Sequence, residues 1–256
     1  MSARIRTAVV TGAASGIGEL AVRRMRSRGI KVVAGDVSSD ITRRYAGDDG
    51  VIGLRADVTD PDSVDALVKQ AEHMWGPVDR LFHSAGIMPA GAVADVDTDH
   101  ILKVMEVNYA GTVHAIKAVL PSMVERDFGQ IIALGSLTGY VPSLKFSAYS
   151  ASKAAVNTFV ETLAHEHRGS GVQVLLVAPT AVLTPLLKQA EGGSKHLARA
   201  AARGKSRLAI TPDRVLDDID RALKRGDHVV IPGGRAVYGA RRLAPGVLWR
   251  ALERFG

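Results

Sequence analysis

Residues 11–18 read Thr-Gly-Ala-Ala-Ser-Gly-Ile-Gly, and this stretch decides the fold. It follows a short apolar, β-branched run at residues 5–10 and precedes a helical pattern. The order strand, glycine turn, helix is typical of a βαβ unit that binds a dinucleotide. In such a unit Gly12 permits the tight turn, Gly16 lets backbone amides approach a pyrophosphate, and Gly18 lets the helix pack closely on the strand. The N-terminus of the helix then faces the phosphates.

Asp36 ends the second predicted strand of this unit, which covers residues 31–36. It lies 18 residues after Gly18, the position of the acidic residue that accepts hydrogen bonds from the adenosine ribose hydroxyls of NAD. The 2′-phosphate of NADP would be repelled by the negative charge of Asp36. Arg43 and Arg44 lie further along, and no basic residue occupies three nearer positions: Ser15, Val37 and Ser38. The sequence therefore predicts NAD, with NADP as the less favoured cofactor.

Tyr149 and Lys153 lie four residues apart in the run Tyr-Ser-Ala-Ser-Lys. On a helix this spacing puts both side chains on one face, with a phenol beside an ammonium. A nearby positive charge favours the phenolate and lowers the pKa of a tyrosine, so the pair can move a proton near neutral pH. The same spacing also occurs on solvated helix faces, and the pair is a candidate site only in combination with the rest of the chain.

Strand and helix patterns alternate along the chain. The predicted strands cover residues 5–11, 31–36, 51–55, 80–84, 130–136, 172–178 and 228–231. The predicted helices cover residues 16–28, 61–75, 98–126, 146–168 and 211–225. This alternation predicts a Rossmann-type, doubly wound parallel sheet of about seven strands with helices on both faces, a three-layer αβα fold in one domain over residues 1–256. Ligands bind at the carboxyl edge of such a sheet.

Together, these motifs resemble the short-chain dehydrogenase/reductase family in its classical form, from Arg4 to about Ile231. The catalytic residues of that family match Asn108, Ser136, Tyr149 and Lys153. The resemblance implies reversible hydride transfer between a secondary alcohol, or its ketone, and a nicotinamide. Tyr149 would exchange the hydroxyl proton, Ser136 would hydrogen-bond the substrate oxygen, and Lys153 would hold the nicotinamide ribose and lower the tyrosine pKa. Asn108 would fix a water that relays the proton to solvent.

The resemblance also implies a set of cofactor contacts. The Asp-Val pair that contacts adenine in the family matches Asp57 and Val58, and the proline and threonine after the sixth strand match Pro179 and Thr184. Thr184 would meet the nicotinamide carboxamide. The full predicted set is Gly12, Ser15, Gly16, Ile17, Gly18, Asp36, Asp57, Val58, Ser84, Ala85, Gly86, Tyr149, Lys153, Pro179, Val182 and Thr184.

Two positions depart from the family pattern. Its Asn-Asn-Ala-Gly after the fourth strand is His-Ser-Ala-Gly at residues 83–86, so Ser84 stands where an amide braces the central strands and the cofactor loop. Weaker cofactor binding is expected from this change. Thr180 replaces a glycine and reshapes the wall after the sixth strand. His83, at a strand end, is interpreted as a packed or capping residue and not as a catalytic one.

The substrate class rests on apolar segments near the predicted site. Residues 183–207 lie where the family has a mobile lid, and their leucines and alanines favour an apolar cover, with an ordinary amphipathic helix pair as the alternative. Five apolar residues are predicted near the serine and the tyrosine: Leu137, Val141, Pro142, Leu144 and Phe146. We expect a hydrophobic alcohol or ketone of steroid, retinoid or lipid type. Two alternatives stay open, a ketoacyl reductase that works on an acyl carrier protein and a non-catalytic NAD-binding regulator.

Composition and charge exclude several kinds of site and partner. The chain has 256 residues, no cysteine and a formal charge of +7, so disulfides and thiolate metal sites are excluded and no metal is expected. Basic residues are dispersed and aromatic residues make up 5%, so no nucleic-acid surface is predicted. The first strand begins at about residue 5, which leaves no room for a signal peptide, and no apolar run reaches the length of a membrane span. A cytoplasmic homodimer or homotetramer is expected.

Residues 240–256 are predicted to form an amphipathic C-terminal tail. Its apolar residues recur at helical spacing: Val247, Leu248, Ala251, Leu252 and Phe255. Packing on protein is the preferred hypothesis, because the tail is short and its net positive charge is modest. Contact with an anionic membrane surface is the alternative.

Overall fold

The computed structural model describes residues 5–190 and 209–243. Its strands are β1 (Thr7–Thr11), β2 (Lys31–Asp36), β3 (Val51–Arg55), β4 (Arg80–His83), β5 (Gly129–Leu134), β6 (Val172–Val177) and β7 (Val229–Val230). They form one parallel sheet in the order β3-β2-β1-β4-β5-β6-β7, which confirms the predicted doubly wound sheet. The strand order reverses between β1 and β4, and this reversal places a crevice at the carboxyl ends of those two strands.

The helices cover the two faces of the sheet. They are α1 (Gly16–Ser27), α2 (Ile41–Arg44), α3 (Pro61–Trp75), α4 (Thr98–Met105), α5 (Gly111–Glu125), α6 (Ser147–Glu166), α7 (Pro212–Arg225) and α8 (Arg235–Leu243). A π-helical turn at Glu106–Ala110 joins α4 to α5, so the predicted helix over residues 98–126 contains one wide turn. Within the described ranges, no helix is long and apolar enough to span a bilayer.

The strands are apolar along their length because both faces of the sheet are covered. Successive side chains of β1 enter opposite layers, as the strand period requires. Ala8 and Val10 pack with apolar residues of α1 and α7, whereas Val9 packs with those of α3, α5 and α6. All five residues of β1 are buried. The three-layer arrangement predicted from the sequence is therefore confirmed.

Local signals set the starts of two helices. The Asp60 carboxylate accepts a hydrogen bond from the Asp62 amide at the start of α3, over 3.0 Å. The Thr211 hydroxyl accepts one from the Arg214 amide at the start of α7, over 3.3 Å. Each cap is followed by a proline at the first helical position, where no amide hydrogen is needed.

Three features differ from the sequence-based expectations. The helices α2 and α8 were not predicted, because α2 has only four residues and the periodicity of α8 is interrupted by glycine and arginine. Strand β7 has two residues in place of the four predicted at 228–231. The predicted tail beyond residue 243 and residues 191–207 of the predicted lid lie outside the described residues.

Candidate active site

The glycine turn after β1 is shaped by close backbone contacts. Gly12 has a φ of +67°, and a Cβ atom there would lie 2.7 Å from the backbone nitrogen of Ala85, in the loop after β4. A Cβ atom on Gly18 would overlap the carbonyl oxygen of Gly12. Both positions therefore require glycine. The turn after β1 and the loop after β4 meet at the crevice of the sheet, as the predicted cofactor contacts require.

Asp36 and Tyr45 brace this turn from the side of β2. The Asp36 carboxylate accepts hydrogen bonds from the amides of Ala14 and Ser38, each over 3.0 Å. The hydroxyl of Tyr45 donates to the carbonyl of Ala13 over 2.8 Å. Burial, reinforced by the nearby negative charge of Glu19, raises the pKa of Tyr45 to about 12, so this hydroxyl keeps its proton. The sequence carried no signal for Tyr45, which lies just beyond α2.

Asp57 and Val58 follow β3 at the same edge. One Asp57 oxygen accepts hydrogen bonds from the Thr59 amide and hydroxyl, over 2.9 and 2.8 Å. The backbone hydrogen bond from Thr59 is the main reason that the pKa of Asp57 is lowered. Val58 is buried, and its carbonyl accepts a hydrogen bond from the ring of His114 over 2.9 Å. The second Asp57 oxygen is available to a ligand at the surface.

Ser84 connects the central strands although its side chain is shorter than that of the asparagine expected there. Its hydroxyl donates to the carbonyl of Thr11 over 2.7 Å, and its amide donates to the same carbonyl over 3.2 Å. The end of β4 is thus tied to the end of β1 without an asparagine.

Thr180 lies at the opposite wall of the site. Its amide donates a hydrogen bond to the Pro232 carbonyl over 3.0 Å, and its side chain packs against Gly233, so the side chain is directed at the loop after β7.

These groups fit a dinucleotide. Gly12 and Gly16 carry no side chain at the turn between β1 and the N-terminus of α1, where a pyrophosphate binds in this fold. The Ser15 hydroxyl makes no capping hydrogen bond to α1, and Thr184 faces Gly16 across the crevice. Among the residues that the structure describes, no three His, Asp or Glu side chains are grouped so that they could hold a metal ion.

Asn108 lies in the π-helical turn, and its side chain is fully engaged. Its amide nitrogen donates to the Ile87 carbonyl over 3.0 Å and to the Ser152 hydroxyl over 2.9 Å. Its side-chain oxygen accepts from the Ile87 amide over 2.8 Å. Asn108 therefore joins the loop after β4 to α6. Because both amide hydrogens are used, a water can be held only through the oxygen atoms of Asn108.

Tyr149, Lys153 and Ser136 come together at the carboxyl ends of β4 and β5. Tyr149 and Lys153 lie on one face of α6, with the ammonium nitrogen 5.9 Å from the centre of the tyrosine ring. The Lys153 ammonium donates to the carbonyl of Leu134, at the end of β5, over 2.7 Å. The side chain of Ser136 lies near the phenol of Tyr149 and lowers its pKa. Tyr149 is 6% exposed and Lys153 5%, so the solvated-surface alternative for this pair is excluded.

Burial dominates the proton affinities of this pair. It raises the pKa of Tyr149 to about 12, against the opposing hydrogen bond from Ser136. It also lowers the pKa of Lys153 to about 8, since an ammonium is poorly solvated there. The expectation that Lys153 lowers the tyrosine pKa is therefore not met in the ligand-free protein. The physical reason is that the phenol lies under apolar side chains, whereas the ammonium is directed at the Leu134 carbonyl.

His83 is a packed residue, as interpreted from the sequence. Its Nδ1 atom lies 2.8 Å from the Thr11 hydroxyl, and its Nε2 atom is buried without a hydrogen-bond partner in the described part of the chain. Burial, together with the charge of Lys153, lowers the pKa of His83 to about 3. The imidazole is thus neutral at physiological pH and does not titrate with the tyrosine.

An apolar group, which we call the tyrosine cluster, covers Tyr149. Its buried members are Met88, Phe146, Tyr149 and Leu187, and its partly buried neighbours are Ala90, Leu183 and Leu186. Gln189, beyond Leu187, accepts a hydrogen bond from the Met88 amide over 3.0 Å. Leu183, Leu186 and Leu187, at the start of the predicted lid, thus pack in the group around the tyrosine.

The two ends of the lid segment meet. Val182 pairs with Ile210 in an isolated parallel bridge. The Leu183 amide donates to the Ile210 carbonyl and the Ile210 amide donates to the Ala181 carbonyl, each over 2.9 Å. Residues 181–183 and Ile210 are therefore held side by side.

The predicted apolar wall is only partly present around Tyr149. Phe146 belongs to the tyrosine cluster, but Leu137 and Val141 pack with Ala178 and Ile231 under β7. Leu144 is 42% exposed. Leu137 and Val141 therefore belong to a separate apolar group and not to the tyrosine cluster. Leu187 and Met88 take their place.

Comparison with known proteins identifies related chains. The family model described as short chain dehydrogenase matches residues 6–194. An uncharacterized oxidoreductase of Staphylococcus aureus (strain MW2) is 32% identical over 225 residues, covering 87% of this chain and 92% of the relative. Dehydrogenase/reductase SDR family member 7B of Mus musculus is 34% identical over 257 residues, covering 95% of this chain and 79% of the relative.

Solved structures agree with these relatives. A short chain dehydrogenase/reductase from Burkholderia phymatum in complex with NAD superposes with a TM-score of 0.83, at 25% identity and 96% coverage of both chains. The closed form of a serine dehydrogenase complexed with NADP+ superposes with a TM-score of 0.79, at 25% identity, covering 88% of this chain and 93% of that one. With its sheet order, glycine turn and family match, this chain belongs to the short-chain dehydrogenase/reductase family of oxidoreductases.

Proposed function

We propose that the protein is an NAD(H)-dependent oxidoreductase that interconverts a secondary alcohol and its ketone. The observation that carries this proposal is the buried pair Tyr149 and Lys153 on one face of α6, with Ser136 near the phenol, at the sheet edge that holds the glycine turn. A proton donor or acceptor, a hydrogen-bond donor and a dinucleotide turn are the parts that this chemistry needs. The nicotinamide, when bound, supplies or accepts the hydride.

Tyr149 would transfer the hydroxyl proton at its phenolic oxygen. With a pKa of about 12 in the ligand-free protein, the phenol is a proton donor, as ketone reduction requires. Alcohol oxidation requires the phenolate, which positive charge close to the ring would favour. Lys153 is placed to supply part of that charge once a ligand draws its ammonium away from the Leu134 carbonyl. Ser136 would donate to the substrate oxygen as negative charge develops on it.

Asn108 would support proton exchange with solvent by holding the neighbouring loop and a water in place. It holds the Ile87 loop against Ser152 of α6, one residue before Lys153. Its backbone carbonyl, in the π-helical turn, accepts a 2.6 Å hydrogen bond from Thr112 and keeps a second lone pair. We propose that a water bound at these oxygen atoms receives the proton from the Tyr149 and Lys153 pair.

NAD is the cofactor that the β2 edge favours. The Asp36 carboxylate is held at the carboxyl end of β2, where it would repel a 2′-phosphate. Arg44, one of the two arginines on α2, forms ion pairs with Asp40 at 3.1 Å and with Glu19 at 3.3 Å. Its charge is thus already compensated. Since related structures hold NAD or NADP+, the preference for NAD is a proposal that the cofactor assay decides.

The substrate would be a hydrophobic alcohol or ketone, of steroid, retinoid or lipid type. The tyrosine cluster surrounds the phenol with Met88, Phe146 and Leu187, and no charged side chain belongs to it among the described residues. An apolar substrate would displace these contacts and bury its own surface in exchange. A polar substrate would find few hydrogen-bonding partners there: among the described residues of the cluster only Tyr149 offers a hydroxyl, with Ser136 beside it.

A homo-oligomer is the assembly that we propose. The outer face of α6 carries Ala154, Ala155 and Phe159 beside Tyr109 of the π-helical turn, all partly buried within one chain. A face of small and aromatic residues suits contact with a second copy. Sedimentation velocity of the purified protein tests this directly, since a monomer would exclude it.

The function is tested with a panel of secondary alcohols and ketones, graded from short polar to steroid-like, with NAD, NADH, NADP and NADPH. Turnover is read from the absorbance of the reduced nicotinamide. We expect the highest kcat/KM with an apolar substrate and NAD or NADH. A protein that binds NAD but turns over no member of the panel would contradict the proposed activity and favour a regulatory role.

A further inference from the structure

Thr138 lies next to the hydroxyl of Ser136 through two of its own groups. Its backbone amide donates to the Ser136 Oγ atom over 3.2 Å, and its Oγ1 atom lies 2.9 Å from the same oxygen. The short helical turn at Leu137–Gly139 produces both contacts, because Ser136 is its N-cap. No sequence motif indicated a role for Thr138.

The geometry restricts where the Ser136 proton can point. A serine hydroxyl has one donor hydrogen and two acceptor lone pairs. The Thr138 amide can only donate, so it occupies one lone pair. The Thr138 hydroxyl makes no other hydrogen bond within the described residues, so its proton is free to occupy the second. Ser136 must then direct its own proton at a third group.

That third group lies on the Tyr149 side. The Ser136 side chain lies near the Tyr149 phenol, and the proposed substrate oxygen would bind beside both groups. A developing oxyanion or phenolate is a stronger acceptor than the threonine hydroxyl, so the chain of donors runs from Thr138 through Ser136 to the reacting oxygen. Hydrogen bonds aligned in one direction polarise and strengthen one another.

We propose that Thr138 is a positioning residue, whose hydroxyl donates to Ser136 and thereby fixes the Ser136 proton on the reacting oxygen. The inference rests on the proposed function, in which Ser136 donates to the substrate. It gives this chain a serine and threonine relay in place of a single serine donor. Thr138 need not touch the substrate for this role.

The test compares Thr138→Val, which keeps the shape and the backbone amide but removes the hydroxyl, with Thr138→Ser, which keeps the hydroxyl. We expect Thr138→Val to lower kcat about five- to tenfold with an unchanged KM for NAD, and Thr138→Ser to stay within about twofold of the wild type. Wild-type kcat in Thr138→Val would overturn the proposal.

A double-mutant cycle separates positioning from general structural damage. If Thr138 acts through Ser136, adding Thr138→Val to Ser136→Ala should cause no further loss. An equal fold-loss in both backgrounds would mean that the threonine supports the fold and not the serine, and would overturn the proposal.

Neutron diffraction of the wild-type NAD complex gives a reading that does not depend on turnover. The proposal requires a deuterium bonded to Thr138 Oγ1 and directed at Ser136, with the Ser136 deuterium directed at Tyr149. A Ser136 deuterium directed at Thr138 would overturn it. Absence of turnover with every substrate would instead count against the proposed function, so the two failures are distinguishable.

Discussion

The carboxylate of Asp36 accepts a 3.0 Å hydrogen bond from the amide of Ala14, so the end of β2 is tied directly to the turn that follows β1. The same carboxylate accepts from the Ser38 amide over 3.0 Å. Its orientation is therefore fixed by backbone groups on two elements. One side chain both shapes the glycine turn and presents negative charge where the proposed NAD would place its adenosine ribose.

The first prediction concerns cofactor choice. The wild type should favour NAD over NADP in kcat/KM by at least about tenfold, roughly 1.4 kcal/mol. Asp36→Ala should shrink this ratio, because the charge that repels the 2′-phosphate is gone, and should also raise the KM for NAD, because the Ala14 amide loses its acceptor. Kinetics with both cofactors provide the measurement.

Asp36→Asn is the matched control, because it removes the charge but keeps an oxygen that can accept from Ala14. It should relieve the penalty on NADP while raising the KM for NAD less than Asp36→Ala does. An unchanged ratio in both variants would mean that another residue sets the selectivity.

The second prediction is that Lys153 lowers the stability of the protein although turnover requires it. Its folded pKa of about 8 lies below the usual value of 10.5, so folding is disfavoured while the amine is protonated in the unfolded chain. The cost is fully present below pH 8 and is relieved as the pH rises from 8 toward 10.5. Lys153→Met should therefore stabilise the ligand-free protein at pH 7 by on the order of 2 kcal/mol while removing turnover.

Urea denaturation at pH 7 and at pH 10 measures this effect, with the exposed Lys69→Met on α3 as the control. The gain from Lys153→Met should shrink at the higher pH, and Lys69→Met should show no such trend. A Lys153→Met protein that is less stable than the wild type at pH 7 would contradict a net cost of burying the Lys153 ammonium.

The third prediction concerns acid stability and His83. Its folded pKa of about 3 lies below the usual 6.5, so the unfolded chain binds a proton that the folded chain does not. Stability from this site is complete above pH 6.5 and falls as the pH drops toward 3, by about 2 kcal/mol at pH 5. His83→Asn, which cannot titrate, should flatten the dependence of unfolding free energy on pH between 6.5 and 5.

The slope, and not the absolute stability, is the quantity to compare, because asparagine also leaves a small cavity. His73→Asn, exposed on α3, serves as the control and should keep the wild-type slope. Equal slopes in the wild type and in His83→Asn would show that the buried imidazole is not the group that titrates.

The fold could be predicted from the sequence because its determinants are local. The buried run of β1, the glycines at 12 and 18 and the prolines that begin α3 and α7 each restrict the backbone within a few residues. Ser136 also lies at a predicted strand end, and Tyr149 and Lys153 lie on a predicted helix. The sheet order then brings these strand ends together, as parallel topology requires.

The rest of the site depends on contacts between distant parts of the chain. Tyr45 reaches Ala13, and Gln189 reaches the Met88 amide over 101 positions, so neither contact has a local pattern. The raised pKa of Tyr149 has the same origin, because desolvation by Leu187 and Met88 exceeds the effect that the spacing to Lys153 alone predicts. Helical periodicity likewise gave no sign of the π-helical turn that places Asn108.

The central claim is that the Tyr149 phenol transfers the proton during hydride transfer, and Tyr149→Phe tests it most directly. The variant keeps the ring within the tyrosine cluster and removes only the hydroxyl. With the best substrate of the panel, kcat should fall by at least about a hundredfold, while the Kd for NAD, measured by calorimetry, should stay within about threefold of the wild type. Near-wild-type turnover in Tyr149→Phe would contradict the account.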